Sequence, residues 1–349
     1  MSKLINYFSK GVGVDLGTAN SLVYVAGRGI VINEPSIAAV NNKTGQVLAI
    51  GDEAKKMVGR TPAHITVIRP LVNGVISDFE MTQEMLKYFF KKIGATASLF
   101  NYHRAVIGAP SNLTEVERKS VEDAVIGAGA NRAYVLEEPL AAAIGARLPI
   151  GEPTANAVVD IGGGTTEIAI ISMGGIVTSK SLKVAGDRLN EDIIRFVRDE
   201  FKLAIGEPSA EELKMKVGSA LPVDQKIELA IRGRDMGTGL PKEIILKDTH
   251  IRAAMARSLK SMTDSVREVI EATPPELVGD ILKNGIHMCG GGSLLKGIDK
   301  LLEKELMVPV RIIDDPLTAV VRGCGIAVEQ FDKYYQVVNN PLRPRDIKI

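Results

Sequence analysis

Asp15 and Asp160 each close an apolar run and open a glycine-containing turn: VGVDLGTANSLVYV covers Val12–Val25 and AVVDIGGGTTEIAI covers Ala157–Ile170. Both read as a strand, a tight turn and a returning strand, because β-branched runs favour strands and glycine permits backbone angles that other residues resist. Such turns present backbone N–H groups as a concavity for phosphate oxygens. A carboxylate at the end of each first strand is well placed to hold a hydrated divalent cation. The pair predicts a nucleotide clamped between two related domains. Alone, the turn Asp15-Leu16-Gly17-Thr18-Ala19-Asn20 reads equally as an ordinary hairpin. Its second copy, Asp160-Ile161-Gly162-Gly163-Gly164-Thr165-Thr166, shifts that balance, since three glycines in a β pattern weaken it unless a ligand or backbone approaches closely.

Other chemistry fits less well. An aspartic protease needs a hydroxyl residue directly after each aspartate, and here Leu16 and Ile161 follow instead. His287-Met288-Cys289-Gly290-Gly291-Gly292-Ser293-Leu294 reads as a strand–glycine–helix junction, a place where anions or nucleotides bind through close approach and the helix N-terminus. As a dinucleotide fingerprint it is broken, because Leu295 holds the third glycine position. Glu137-Glu138-Pro139 ends a strand and enters an Ala-rich helix. Glu138 there is either a favourable dipole contact or the carboxylate that orients an attacking water. Glu211 and Lys214, three apart, share a helical face and read most simply as a surface ion pair.

The elements that must position these residues alternate between strand and helix, which indicates an α/β protein. Helices are expected at 82–93, near 114–117 onward with Thr114 and Glu117 as a capping box, at 139–146, 190–201, 210–217, 250–272, 294–305 and 317–330. Short strands are expected at 105–109, 134–137, 225–231, 243–246, 286–289 and 310–313, and the Pro-containing tail is expected to be loosely ordered.

Composition sets the outer limits. A chain of 349 residues, 45% hydrophobic, is long enough for two cores. No apolar run approaches the roughly 20 residues of a spanning helix. A formal charge of +1, few aromatics and no Trp argue against nucleic acid as a partner. Cys289 and Cys324 make neither a disulfide framework nor a zinc site, His64, His103, His250 and His287 lack ligand spacing, and no secretory signal is evident, so a cytoplasmic protein is expected. In Met1–Lys10, the residues Met1, Leu4, Ile5 and Phe8 fall on one arc at about 100° per residue, so this segment reads as a short amphipathic helix suited to a membrane interface. Leu99-Phe100, after the 82–93 helix, is a candidate second apolar contact or a buried loop anchor.

DLGTANSLVYV, NEPSIAAV, RPLVNGVISDFEMTQEML, EEPLAAAIGA, VVDIGGGTTEIAIIS, the GSA after Lys214, PPEL and DPLTAVVRGCG occur in an order that resembles the bacterial actin (MreB) family of the actin, chaperone and sugar-kinase ATPase superfamily. The resemblance runs from about residue 10 to residue 330. It implies an actin-like two-domain ATPase fold, with duplicated mixed-sheet domains in four subdomains around a central nucleotide cleft. The implied division is a membrane-binding segment at 1–10, subdomain IA at 11–32, 70–146 and 315–349, IB at 33–69, IIA at 147–180 and 245–314, and IIB at 181–244.

By the same resemblance Thr18, Ala19 and Asn20 with Gly162, Gly163, Gly164 and Thr165 hold the phosphates of ATP. Asp15 and Asp160 stand near Mg²⁺ through its waters. Glu211 and Lys214 approach ribose and base, and Gly290, Gly291, Gly292 and Ser293 line the adenine side. Glu138 positions the hydrolytic water, with Thr165 assisting and Asp160 beside it, as suits phosphoryl transfer. Also implied are antiparallel double filaments of the chain with itself on the inner membrane face, partner membrane proteins of wall synthesis, and membrane contacts through Leu4, Ile5, Phe8, Leu99 and Phe100. Two departures stand out: Asn190 where many relatives have Asp, and Ser111-Asn112-Leu113 in place of a Gly-containing stretch. A chaperone-type ATPase would need a further domain after residue 330, and a small-molecule kinase would transfer phosphate to an acceptor rather than assemble.

Overall fold

A computed structural model describes residues 11–94, 102–225 and 227–339. The first half opens on β1 (Gly11–Leu16), β2 (Asn20–Val25) and β3 (Gly29–Pro35), a meander that buries Val12, Val14, Leu22, Val23, Val25 and Ile32. A small sheet follows, from β4 (Ala38–Asn41), β5 (Val47–Ile50), helix α1 (Asp52–Lys55) and β6 (Ile65–Ile68), with strand order β5-β4-β6. The tight pair β7 (Leu71–Val72) and β8 (Val75–Ile76) turns through Asn73 and Gly74, both at positive φ. Then come α2 (Phe79–Lys92), β9 (Arg104–Ala109), α3 (Glu115–Gly127), β10 (Ala133–Glu137) and α4 (Glu138–Gly145). Because β9 and β10 run parallel to β1, each needs a helical crossover, and the sheet order is β3-β2-β1-β9-β10.

The second half repeats the plan. β11 (Asn156–Ile161), β12 (Thr166–Ser172) and β13 (Gly175–Leu182) form the meander. Inserted next are α5 (Gly186–Phe201), β14 (Leu203–Ala204), α6 (Glu207–Lys216), β15 (Glu228–Asp235) and β16 (Pro241–Lys247), where β14-β15-β16 make their own sheet. After α7 (Asp248–Glu271) and α8 (Pro275–Asn284), β17 (Ile286–Cys289), α9 (Ile298–Leu306) and β18 (Val310–Ile312) complete the order β13-β12-β11-β17-β18. Both sheets thus carry an antiparallel meander on one side and two parallel crossover strands on the other.

Finally α10 (Ala319–Glu329) and α11 (Phe331–Asn339) return to the first half. Helix α10 lies against α4 and β1 through small residues. A Cβ on Gly323 would clash with the Ala141 carbonyl, and one on Gly13 would stand 2.6 Å from the Gly325 nitrogen. One core serves each half, and a third, including Leu140, Ile144, Cys324 and Ala327, lies around α4 and α10.

Three expectations need correction. The helix expected at 294–305 begins at Ile298: after the glycines the chain makes one 3₁₀ turn (Gly291–Leu294), Leu295 is extended, and Gly297 (φ 75°) provides the turn into α9. The tail beyond Gln330 starts with a helix, α11, anchored by Phe331, which is buried and stacks on Tyr134 at 4.8 Å between ring centroids. Several helices also begin earlier than their apolar pattern does: α2 starts at Phe79 because the Asp78 side chain accepts from the Met81 N–H at 3.0 Å. The Thr114–Glu117 capping box is present as expected. Among the described residues no helix is long and apolar enough to cross a membrane.

Candidate functional site

The two glycine turns, far apart in sequence, meet face to face. A Cβ on Gly163 would stand 2.7 Å from the Ala19 Cβ, and one on Gly164 would stand 2.6 Å from the Thr18 Oγ1 and 2.8 Å from the Asn73 Cα. Any side chain at either position would wedge the halves apart. The first turn is braced from its own half: the Ser36 hydroxyl donates to the Gly17 carbonyl at 2.6 Å, and the Gly74 N–H donates to the Thr18 Oγ1 at 2.9 Å. The second is braced by its neighbours: Gly162 N–H donates to the Thr165 carbonyl at 2.9 Å, and the N–H groups of Gly186 and Asp187 donate to the carbonyls of Gly162 and Gly163 at 3.1 and 2.8 Å. Thr18 and Thr165 are both buried.

Behind the turns four carboxyl groups crowd together. Asp15 ends β1 between Leu22 of β2 and Gly108 of β9, and Asp160 ends β11 between Glu167 of β12 and Cys289 of β17. Glu138, first residue of α4, is buried, as are Asp160 and Glu167. Desolvation, reinforced by the Asp160 charge, raises the Asp15 pKa to about 8. Desolvation and the Glu167 charge raise Asp160 to about 7, against a hydrogen bond from the Cys289 thiol. Glu138 is pushed well above its ordinary value by burial first, then by the charges of Glu167, Asp160 and Asp15. Burial also raises Glu167, opposed by hydrogen bonds from the Ser181 hydroxyl and the Ser111 N–H, the latter at 3.2 Å.

This donor set fits a hard divalent cation, whose charge would relieve the repulsion between oxygens held out of water. Among the described residues no three His, Cys, Asp or Glu side chains converge closely enough to ligate a metal directly.

Glu211 and Lys214 of α6 are not the free surface pair that spacing alone describes. Lys214 Nζ donates to Glu211 at 2.8 Å and to the Gly186 carbonyl at 3.0 Å, which ties the pair to the second turn. Burial works against ionised Glu211, but the Lys214 charge and hydrogen bonds from Lys214 and Asn190 outweigh it and hold its pKa below the ordinary value. Asn190 Nδ2 donates to Glu211 at 2.6 Å, while its Oδ1 is buried without a partner. Both departures noted in sequence therefore bear on site residues, Asn190 through Glu211 and Ser111 through Glu167.

The triple glycine lies against the second turn's strand. Gly290 (φ 77°) and Gly292 pack so tightly on Asp160 and Ile161 that a Cβ on either would overlap them. Ser293 Oγ donates to the Gly290 carbonyl at 2.7 Å. With α9 starting only at Ile298, no helix N-terminus is presented here. Across from it, Arg69 beyond β6 forms an ion pair with Glu207 at the start of α6, joining the two small inserted sheets' regions.

Glu167 is the site residue that sequence reasoning missed. Its signal was a lone acid inside the apolar run Thr166–Ile171, directly across the ladder from Asp160. Leu4, Ile5, Phe8, Leu99 and Phe100 lie outside the described residues.

The chain is similar to known proteins over most of its length. Residues 9–336 match the family model for MreB/Mbl protein. The cell shape-determining protein Mbl of Bacillus subtilis is 47% identical over 326 residues, covering 93% of this chain and 98% of that protein. The cell shape-determining protein MreB of Escherichia coli K12 is 43% identical over 338 residues, covering 96% and 97%. Crystal structures of MreB5 of Spiroplasma citri, 40% identical and covering 94% of this chain and 98% of that one, superpose with TM-scores of 0.89 bound to ADP and 0.90 bound to AMPPNP. A MamK double helical filament structure, 21% identical, covers 92% and 99% with a TM-score of 0.79 and shares the fold.

Proposed function

The chain belongs to the MreB/Mbl family, an actin-like fold of cell shape-determining proteins, and on that premise we propose that it is an ATPase whose nucleotide state controls its assembly into filaments. The observation that carries this reading is the meeting of the two glycine turns in front of four carboxyl groups, three of them buried. The solved ADP and AMPPNP complexes of MreB5 support the choice of nucleotide.

In this reading the backbone of Thr18, Ala19 and Asn20 takes one side of the phosphates, and Gly162, Gly163, Gly164 and Thr165 take the other. Lys214 and Glu211, held by Gly186 and Asn190, meet the ribose and base, while Gly290–Ser293 close the adenine side. Asp15 and Asp160 hold Mg²⁺ through water, and the ion, when bound, neutralises charge on the phosphate oxygens. Glu138 orients the attacking water, and Thr165 helps to place it. Burial and the neighbouring acids raise the Glu138 pKa, and the positive charge of a bound cation would work against that rise, favouring the carboxylate as a proton acceptor.

The proposal extends to a wider role in cell shape, which the relatives' names state, through filaments of the chain with itself at the inner face of the cell membrane that guide wall synthesis with membrane proteins of that machinery. The amphipathic Met1–Lys10 pattern and Leu99-Phe100 support the membrane contact. The four-part division, with inserts at 33–69 and 181–244, belongs to the same proposal.

The experiment is pelleting with negative-stain microscopy, with and without Mg-ATP, on anionic liposomes, with phosphate release followed in parallel. Paired filaments on lipid and Mg-ATP-dependent phosphate release are expected. A monomer that hydrolyses ATP or phosphorylates a small acceptor would contradict assembly. Loss of liposome co-flotation when Leu4, Ile5 and Phe8 are made polar would tie the membrane contact to that segment.

A further inference from the structure

Where the two halves meet, apart from the glycine turns, lies a cavity of about 660 Å³. Its walls come from β2, the segment leaving α4, β17, β18 and α10. Its volume falls within the range of about 300–1,000 Å³ typical of small-molecule sites. Three arginines, Arg147, Arg311 and Arg322, line it with His287.

These groups are under-used by the protein itself. Arg322 gives one nitrogen to the Asp314 carbonyl at 2.8 Å and another to the Asp315 carboxylate at 3.4 Å, but its Nε is buried without a partner. Nδ1 of His287 is likewise buried and unpartnered. Arg147 and Arg311 carry no ion pair or hydrogen bond from their side chains among the described residues. Asp314 also lines the cavity, yet only its backbone carbonyl engages an arginine. Arg147 and Arg311 are exposed at the cavity and Arg322 is only partly engaged, so cationic groups are available there to a partner that binds from outside.

The backbone adds an independent sign. Arg147 sits at φ 58°, in the left-handed position that closes α4, where Leu148 N–H reaches the Ala143 carbonyl at 3.0 Å. Glycine is the usual residue at such a position, and an arginine is held there at a cost. Arg147 lines the same cavity as Arg311 and Arg322.

We propose that this cavity binds a small organic phosphate, with the phosphomonoester head between Arg147, Arg311 and Arg322 and an apolar body against Leu148, Ile313 and Ile326. Guanidinium forks match phosphate oxygens in geometry and charge, and three of them outweigh the two nearby aspartates. Burial and the Arg311 charge lower the His287 pKa against a hydrogen bond to the Ala157 backbone, so the ring adds no negative charge beside the arginines. None of these residues belongs to the nucleotide turns, so the inference does not depend on the ATPase reading.

Calorimetric titration with 1-naphthyl phosphate tests this on the full chain saturated with Mg-ADP, so that the nucleotide cleft is blocked. One saturable site is expected, with inorganic phosphate competing weakly. The Arg147→Gly/Arg311→Gln double variant should weaken binding at least about tenfold, as loss of charge-assisted hydrogen bonds does. Its ADP affinity and thermal midpoint should stay unchanged, since glycine relaxes position 147. No saturable binding in the loaded protein, or equal affinity in the double variant, would overturn the proposal. Displacement of the probe by phosphatidic acid vesicles, but not by phosphatidylcholine vesicles, would overturn a soluble ligand and assign the head group to a lipid.

Discussion

The two sheets share one topology, but their central aspartates have different neighbours. Asp15 faces Leu22 across its hairpin and Gly108 on the parallel side, whereas Asp160 faces Glu167 and Cys289. The first hairpin is an apolar frame with one acid at its end. The second concentrates charge, and its turn is stripped of side chains over Gly162, Gly163 and Gly164. The two halves offer similar supports, and the acidic groups are loaded unequally onto them. The first half returns one reactive group by another route, Glu138 at the junction of β10 and α4.

The largest test of this asymmetry is Glu138→Ala. It should leave ATP binding intact and slow hydrolysis by roughly 10²–10⁴, the usual contribution of a positioned acid–base group. Unchanged single-turnover phosphate release would remove Glu138 from its role. Next, Asp160→Ala should weaken Mg-dependent ATP affinity by about 10–100-fold, as loss of a group acting through metal-bound water does. Normal affinity in a fluorescent-nucleotide titration would break the assignment of the cleft.

Within the glycine run, Gly164→Ala should cost about 1–3 kcal/mol, because its Cβ meets the Thr18 hydroxyl and the Asn73 backbone at 2.6–3.0 Å. Gly162→Ala meets only the Thr165 carbonyl, at 3.3 Å, and should cost less. Equal thermal midpoints for the two variants would contradict the closeness of the turns.

The acid cluster predicts a pH dependence for the nucleotide- and metal-free protein. Asp15 and Asp160 have folded-state values near 8 and 7 against ordinary values of 3.8, so between about pH 4 and 8 the folded chain binds more protons than the unfolded one. Stability must then fall as pH rises through that window. Each 1 kcal/mol lost lowers the midpoint on the order of 2–4 °C, and Asp160→Asn should flatten the decline. A midpoint that rises with pH would show the carboxylates already compensated. The smallest effect belongs to the cleft's exposed rim. Arg69 and Glu207 are both part-exposed, so Arg69→Ala should change stability by no more than about 1 kcal/mol.

Much of this was legible because it is local. The strand–Asp–turn pattern, the capping box at Thr114 and the Glu138-Pro139 helix start are each written within a few residues, and the structure has them where the pattern puts them. What stayed hidden depends on partners distant in sequence. Glu167 becomes part of the acid cluster only through its register with Asp160 and its bonds to Ser111 and Ser181. Asn190 matters because α5 packs beside α6 and brings it to Glu211. The glycines at 290–292 read as a ligand junction, yet Gly290 and Gly292 make room for the chain's own Asp160 and Ile161, a contact between β11 and β17 that no spacing displays.

A crystal of this chain grown with Mn²⁺ and AMPPNP, read by manganese anomalous scattering, puts the unequal halves to the proof. The expected map has the phosphates between Thr18–Asn20 and Gly162–Thr165, with manganese nearest Asp15 and Asp160 and a water within reach of Glu138. A nucleotide bound outside the two turns, or a metal remote from both aspartates, would contradict it.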